Sequence, residues 1–365
     1  MLIFENKSNF NIKDYSIHVK DPSKTLFFDI ETTGFSSAHC HLYLIGVMYL
    51  KNDEYYIKQF FLNDETEETK LLTAFFDFIK DYKEIIHFNG QGFDIPFILE
   101  KCRHYNLPYN FDSFKSTDIY KCAQKVKKII NSENLKQKSI EKFLGIERDD
   151  RFNGKELINV YHNYLKYKKK EDLALLLLHN FEDVKNMLLV YQITSYTNLA
   201  DGDFTLNSAI LNDYKDISGK EKKEFIIELG LENPLPARVS ASFEGIYLSA
   251  YTNTAKIKVS VYTGELKFFY PNYKDYYYLK KEDTAIHKSV AFYVDKDFRT
   301  QAKAANCYSK KTGTFLKEWE EIVTPYFKKE YNDKTMYFEA HNDFLESKEL
   351  IKAYAIHLLN VLLNA

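Results

Sequence analysis

Asp29 and Glu31 stand two residues apart where an apolar run ends, in T-L-F-F-D-I-E-T-T-G-F over Thr25–Phe35. In a strand, alternate side chains share a face, so both carboxylates project to the same side. Two ionised carboxylates side by side repel. A divalent cation such as Mg2+ or Mn2+ between them relieves the repulsion, because hard ions prefer oxygen ligands. A strand end with two solvated acids is the plainer alternative.

A second group is H-F-N-G-Q-G-F-D-I-P-F, His87–Phe97. Asp94 falls where a glycine-rich turn meets a helix start, a place that favours an anion and often takes aspartate as a simple cap. Asn89, Gln91 and the two glycines set amides at the same edge, where a backbone can approach a phosphate. The third group is H-N-F-E-D, His179–Asp183. His179 and Asp183 are one helical turn apart on a leucine-rich helix and share a face. A charged Asp there is costly unless it is paired or bound to metal. A His–Asp hydrogen bond within the helix is the alternative. Glu182 is expected to point to solvent.

Taken together, Asp29, Glu31, Asp94 and Asp183 lie on separate elements that one mixed sheet can gather. Two metal ions held by such acids clamp the attacking and leaving oxygens of a phosphodiester. In that scheme Asp29 bridges both ions, Glu31 and Asp183 hold the ion on the nucleophile's side or help place the 3′-end, and Asp94 serves the second. His179, an imidazole, is suited to take a proton from the attacking water.

The elements that must position these residues follow from periodicity. Apolar runs predict strands over Leu26–Ile30, Leu42–Leu50 and Tyr55–Leu62, the last two joined by a K-N-D-E turn. Thr66–Tyr82 carries Leu71, Leu72, Phe75, Phe76 and Ile79 on one helical stripe. Glu84–Phe88 is a short buried strand, and a helix starts at Asp94 with Pro96 in its first turn. Thr117–Tyr120 is a fifth strand. Helices follow at Leu135–Gly145, on to about Lys168, and over Glu171–Thr194, the last apolar on nearly all sides and so buried. Beyond the polar segment 198–236, which closes on N-P-L-P, an antiparallel meander is expected near 242–250, 254–262 and 265–270, turning at Thr263–Gly264. Helical spacing returns over Phe315–Tyr331 and Asp343–Leu363.

The order of elements in the first half predicts a mixed five-stranded sheet flanked by helices. The expected organisation is a lead-in over 1–23, a catalytic domain over 24–197, a connecting segment over 198–236 and an α+β domain with an antiparallel sheet over 237–365. A chain of 365 residues fits about two domains. Its 45% hydrophobic content supports packed cores, and its net charge is only −2. Tyr251–Lys311 nevertheless holds 12 Lys or Arg against 6 Asp or Glu, a local +6 that leaves −8 elsewhere. Such a basic, aromatic stretch, with F-F-Y-P-N-Y-K-D-Y-Y-Y-L-K-K at 268–281, suits a nucleic acid strand. An ordinary tyrosine-rich sheet bearing solvated lysines suits it equally well. The four cysteines form no CxxC pair, which argues against zinc and for a reducing compartment. With no apolar leader and no membrane-length run, a cytoplasmic location is expected.

The three groups F-D-I-E-T-T-G, N-G-Q-G-F-D and H-N-F-E-D together resemble the motifs of DEDDh exonucleases in the ribonuclease-H-like superfamily. With S-I-E-K-F-L-G-I and the Gly154–Tyr161 stretch, the chain is most similar to the YprB-like branch. The resemblance spans about residues 24–196. It implies a ribonuclease-H-like fold and a Mg2+- or Mn2+-dependent 3′→5′ exonuclease with two ions per site, acting on DNA or RNA. It assigns Asp29, Glu31, Asp94, His179 and Asp183 to catalysis, the four acids to metal, and Thr32 and Thr33 to the terminal nucleotide, with Asn89 and Gln91 as further substrate contacts. The competing expectations are a structure-guided endonuclease and a binding or scaffold module on a nuclease fold.

Overall fold

A computed structural model of the chain describes residues 1–11, 19–148 and 154–365. Residues 12–18, within the expected lead-in, lie outside the described residues. The chain forms two units, 1–197 with 235–237, and 198–234 with 238–365.

The first unit is built on a six-stranded mixed sheet: β1 (Leu2–Asn11), β2 (Thr25–Thr32), β3 (Leu42–Lys51), β4 (Glu54–Phe61), β5 (Glu84–His87) and β6 (Lys115–Asp118), in the order β1-β4-β3-β2-β5-β6. β1 to β4 pair antiparallel, while β5 runs parallel to β2 and β6 parallel to β5. β3 is central because Leu42–Tyr49 is buried without interruption, so both faces of the strand are covered. The sixth strand, β1, falls in the stretch that sequence patterning leaves irregular. Its Asn, Lys and Ser give it little apolar signature, and it holds the edge by pairing with β4 from Leu2↔Phe61 onward.

Helix α1 (Glu68–Ile79) buries Leu71, Leu72, Phe75, Phe76 and Ile79 against the sheet, the stripe its sequence predicts. The helices α2 (Asp94–His104), α3 (Ile119–Lys125), α4 (Lys127–Ile130), α5 (Gln137–Leu144), α6 (Gly154–Tyr167) and α7 (Lys170–Val190) come next along the chain. α7 is not apolar on all sides in the way expected. Its buried face carries His179, Asn180, Glu182 and Asn186, while Leu178 is 41% exposed. The buried side of α7 thus mixes these polar groups with Leu176, Val184, Met187, Leu188 and Val190. Among the described residues no helix is long and apolar enough to cross a membrane.

The second unit is mostly antiparallel sheet. β7 (Thr205–Lys215), β8 (Glu221–Phe243) and β9 (Ile246–Ser260) form a long three-stranded sheet. β10 (Tyr262–Phe269), β14 (Tyr308–Glu318), β16 (Met336–Glu339) and β15 (Tyr326–Phe327) form a second, and β12 (Thr284–His287), β11 (Tyr276–Leu279) and β13 (Arg299–Gln301) a third. Three expectations are overturned. Residues 205–215 and 221–236 are strand rather than polar connection. Thr263 and Gly264 lie inside β10, which pairs with β14, rather than at a turn. Phe315–Tyr331 is not helical: its apolar spacing arises because β14 pairs with β16, Phe315↔Glu339 and Leu316↔Phe338, and Pro325 would break a helix in the second half of that stretch. Helix does return near the end, over Asn342–Glu346 and Lys348–Asn364.

Candidate active site

Asp29 and Glu31 sit on β2 opposite Gly46 and Leu44 of β3, and the ladder shifts register just after Glu31. Asp94 opens α2, and its Oδ1 accepts the Ile30 N–H at 3.2 Å, tying that helix start to the strand between the two acids. α7 supplies the rest. Nε2 of His179 lies 3.5 Å from Oε1 of Glu31 and 3.2 Å from Oδ2 of Asp183. Donor atoms of Glu31, His179 and Asp183 all fall within 4.8 Å of one another. Asn180, next along α7, donates to Oδ2 of Asp29 at 3.2 Å.

Burial in this acidic neighbourhood has an electrostatic cost. Asp29 titrates well above the ordinary carboxylate range, first because it is buried and then because Asp94, Asp183 and Glu31 repel its charge. Asp94 is pushed up to about 7 by burial, against the opposing pull of backbone N–H groups. The structure gathers Glu31, His179 and Asp183 into one cluster, while Asp29 and Asp94 line the neighbouring cleft. Such a donor set fits a divalent cation: oxygens predominate and one imidazole stands among them.

The expected substrate contacts fare differently. Asn89 lines a cleft of about 760 Å³ that also reaches Asp29 and Asp94. Its φ of 61° places the N-G-Q-G turn in the left-handed region, which asparagine tolerates. Gln91 is turned elsewhere, its amide donating to Ser116 at 3.1 Å and accepting from Lys121. The Thr32 hydroxyl donates to the Gly34 carbonyl at 2.8 Å, and the Thr33 hydroxyl accepts from the His41 N–H at 2.8 Å, so both shape the loop after β2. Glycine at position 90 serves packing: a Cβ there would lie 2.5 Å from the His87 ring.

His87 has the neighbours of a catalytic triad but not its tautomer. Nδ1 accepts the Gly90 N–H at 3.0 Å, so the proton sits on Nε2, which donates to Ser116 at 2.8 Å. A base must accept from the hydroxyl. Asp118, 3.7 Å from the ring, is occupied in capping, taking the N–H groups of Asn89, Gln91 and Tyr120.

Several residues at the site carry no signal in the sequence. Phe35, 93% exposed, leans edge-on against Phe93 at 5.9 Å, and both line the cleft with Tyr120, Lys127 and Lys136. Aromatic walls and two ammonium groups beside a set of acids suit a nucleotide chain. Gln59 of β4 donates to Asn180 Oδ1 at 3.0 Å, and Arg148 reaches Asp183 at 2.6 Å. Glu182, expected in solvent, is only 5% exposed, with Nε of Arg148 3.9 Å away. Nothing near either residue in the chain announces that pairing.

Residues 26–195 match the family described as the RNase_H superfamily. This stretch is a ribonuclease-H superfamily domain, and its fold is ribonuclease-H-like. Among solved structures, a family B DNA polymerase from the hyperthermophilic archaeon Pyrobaculum calidifontis is 15% identical with a TM-score of 0.38, over 49% of this chain and 25% of that one. The zinc-bound E. coli exonuclease I–ssDNA complex is 11% identical with a TM-score of 0.29, over 56% of this chain and 54% of the other. A product-bound exonuclease I is 11% identical with a TM-score of 0.28, over 57% and 58%. The chain thus spans a quarter of the polymerase and little more than half of either exonuclease chain. No curated protein matches the chain.

Proposed function

We propose that the ribonuclease-H-like domain is a divalent-metal-dependent nuclease of the DEDDh type, removing nucleotides from the 3′ end of DNA or RNA. The observation that carries the reading is the gathering of Glu31, His179 and Asp183, with donor atoms within 4.8 Å of one another, beside an Asp29 held by Asn180. A binding module has no need for four converging acids. Their mutual repulsion costs stability, and a bound cation relieves it.

Asp29, Glu31, Asp94 and Asp183 would hold Mg2+ or Mn2+, which supplies Lewis-acid stabilisation of the charge that develops on the phosphate. The remaining work falls to the chain. His179 takes a proton from the attacking water at Nε2, and Asp183 Oδ2, at 3.2 Å, stabilises the imidazolium that results. Asn180 and the Ile30 N–H fix the orientations of Asp29 and Asp94. Lys127 and Lys136 attract the backbone into the cleft, and Phe35, Phe93 and Tyr120 offer faces to the terminal bases.

The test is a product ladder. Single-stranded and recessed DNA and RNA, 5′-labelled, are incubated with Mn2+ and then sampled in time. Stepwise shortening from the 3′ end, absent with EDTA and absent for Asp29→Asn, is the expected result. A single internal cut would instead mark an endonuclease. Cutting by Asp29→Asn as fast as the parent would remove the basis of the assignment.

A further inference from the structure

Asp183 engages protein with both carboxylate oxygens. Oδ2 faces His179 at 3.2 Å, and Oδ1 lies 2.6 Å from Nη2 of Arg148. The other terminal nitrogen of Arg148 donates to both oxygens of Glu141 at 3.2 Å each, and its Nε stands 3.9 Å from Glu182. Arg148 is 10% exposed along its side chain, and Glu141 and Glu182 are 1% and 5% exposed. One guanidinium, which keeps its charge at any ordinary pH, thus faces three carboxylates. One of the three belongs to the trio with donor atoms within 4.8 Å.

We propose that Arg148 is an internal cation competing with the divalent ion for Asp183, a positioning residue that sets how tightly the site takes metal. The proposal rests on reading the acid set as a metal site. A carboxylate that shares its charge with a guanidinium has less to offer a metal, and a 2.6 Å contact is a full charge-assisted bond. The arrangement also provides for release. Glu141 and Glu182 already receive the guanidinium, so leaving Asp183 does not strand a buried cation. Gln137 donates to the Asp183 main-chain oxygen at 2.9 Å and to Glu141 Oε1 at 3.1 Å. The two acceptors are thereby held in register, and only the guanidinium has to move. Metal-free protein then keeps Asp183 neutralised, and occupancy requires enough metal to displace Arg148.

The test measures Mn2+ binding without nucleic acid, by the loss of the free-ion paramagnetic resonance signal, together with Tm in EDTA and in saturating Mn2+. Parent, Arg148→Met and Arg148→Lys are compared, with circular dichroism to check that each variant folds. Arg148→Met is expected to lower the metal-free Tm and to bind Mn2+ about tenfold more tightly, ~1.4 kcal/mol, so that its gain in Tm on adding Mn2+ exceeds the parent's. Arg148→Lys, a poorer partner for a carboxylate fork, falls between them and carries the comparison should Arg148→Met not fold. A merely structural tie would lower both Tm values equally and leave Mn2+ affinity unchanged, and that outcome, or weaker binding, overturns the proposal. A parent that takes up no Mn2+, or an Asp29→Asn protein binding it as well as the parent, would instead defeat the metal-site reading itself.

Discussion

The side-chain amide of Asn180 donates to Oδ2 of Asp29 across 3.2 Å, joining the third motif to the first. The same amide accepts from Gln59 at 3.0 Å through its oxygen, which rests in the space that a side chain at Gly46 would fill. A Cβ on residue 46 would come within 2.1 Å of that oxygen and 2.9 Å of Val184. Asn180 is fully buried and cannot yield into solvent. Gly46→Ala is therefore expected to destabilise the protein by about 1–3 kcal/mol and to push Asn180 off Asp29. Denaturant unfolding and Mn2+ titration on the same sample check both parts. Loss of stability with unaltered metal affinity would break the link between Gly46 and Asp29.

The titration of the site gives a prediction with a definite sign. Asp94 is raised to about 7 and Asp29 well above its usual range, whereas both acids ionise near ~3.9 in the unfolded chain. Between those limits the folded state binds more protons, so stability falls as pH rises from about 4 through about 7. Bound metal requires the ionised forms and reverses the trend. In EDTA, Tm should drop between pH 5.5 and 8, and the rise in Tm on adding Mn2+ should grow over the same range. A constant Tm difference between EDTA and Mn2+ at all pH values would contradict this.

Replacing His179 separates base from ligand. Its Nε2 stands between Glu31 and Asp183, a position that serves either role. Under the general-base reading, His179→Ala lowers turnover by about 10²–10⁴ while Mn2+ affinity stays within about threefold, since hard ions are held mainly by oxygen. A large loss of Mn2+ affinity would make His179 a ligand instead. The pH profile of the residual activity is a second check: the limb set by the imidazole should vanish.

What the sequence disclosed depended on whether a residue's surroundings are local. Leu71, Leu72, Phe75, Phe76 and Ile79 announce α1 because a helix imposes its own spacing. The acids were findable because their types are expensive in apolar runs. Arg148, Gln59 and Gly46 were not, since each matters through a partner far along the chain. β1 escaped notice because Ser8, whose hydroxyl is buried and donates to the Tyr55 carbonyl at 2.8 Å, reads as a polar loop residue until its partner strand is known. Phe315–Tyr331 misled for the opposite reason. Its rings and aliphatics fall at helical intervals, but Leu316 and Phe338 meet across a sheet.

Glu318 gives a prediction for the second unit that is independent of any nuclease reading. The residue closes β14, is fully buried, and uses Oε2 to accept the N–H groups of Ile322 and Val323 at 3.0 and 3.2 Å. Oε1 has no partner among the described residues. Burial raises the carboxyl to about 7, with those two N–H bonds pulling the other way. The acid is therefore held neutral below about pH 7 and ionises above it with only those two N–H bonds to offset the cost of burial, so its contribution to stability is lost as pH rises from about 4.5 through about 7. Glu318→Gln keeps an acceptor for the two N–H groups and removes the charge. At pH 8.5 the variant should unfold at a higher Tm than the parent, by an amount on the order of 1–3 kcal/mol in stability. At about pH 4, where the carboxyl is largely protonated in both the folded and the unfolded chain, the two should nearly coincide. Equal or lower stability at pH 8.5 would mean that the carboxylate finds a partner there when ionised, and the orphan oxygen would not be the origin of the cost.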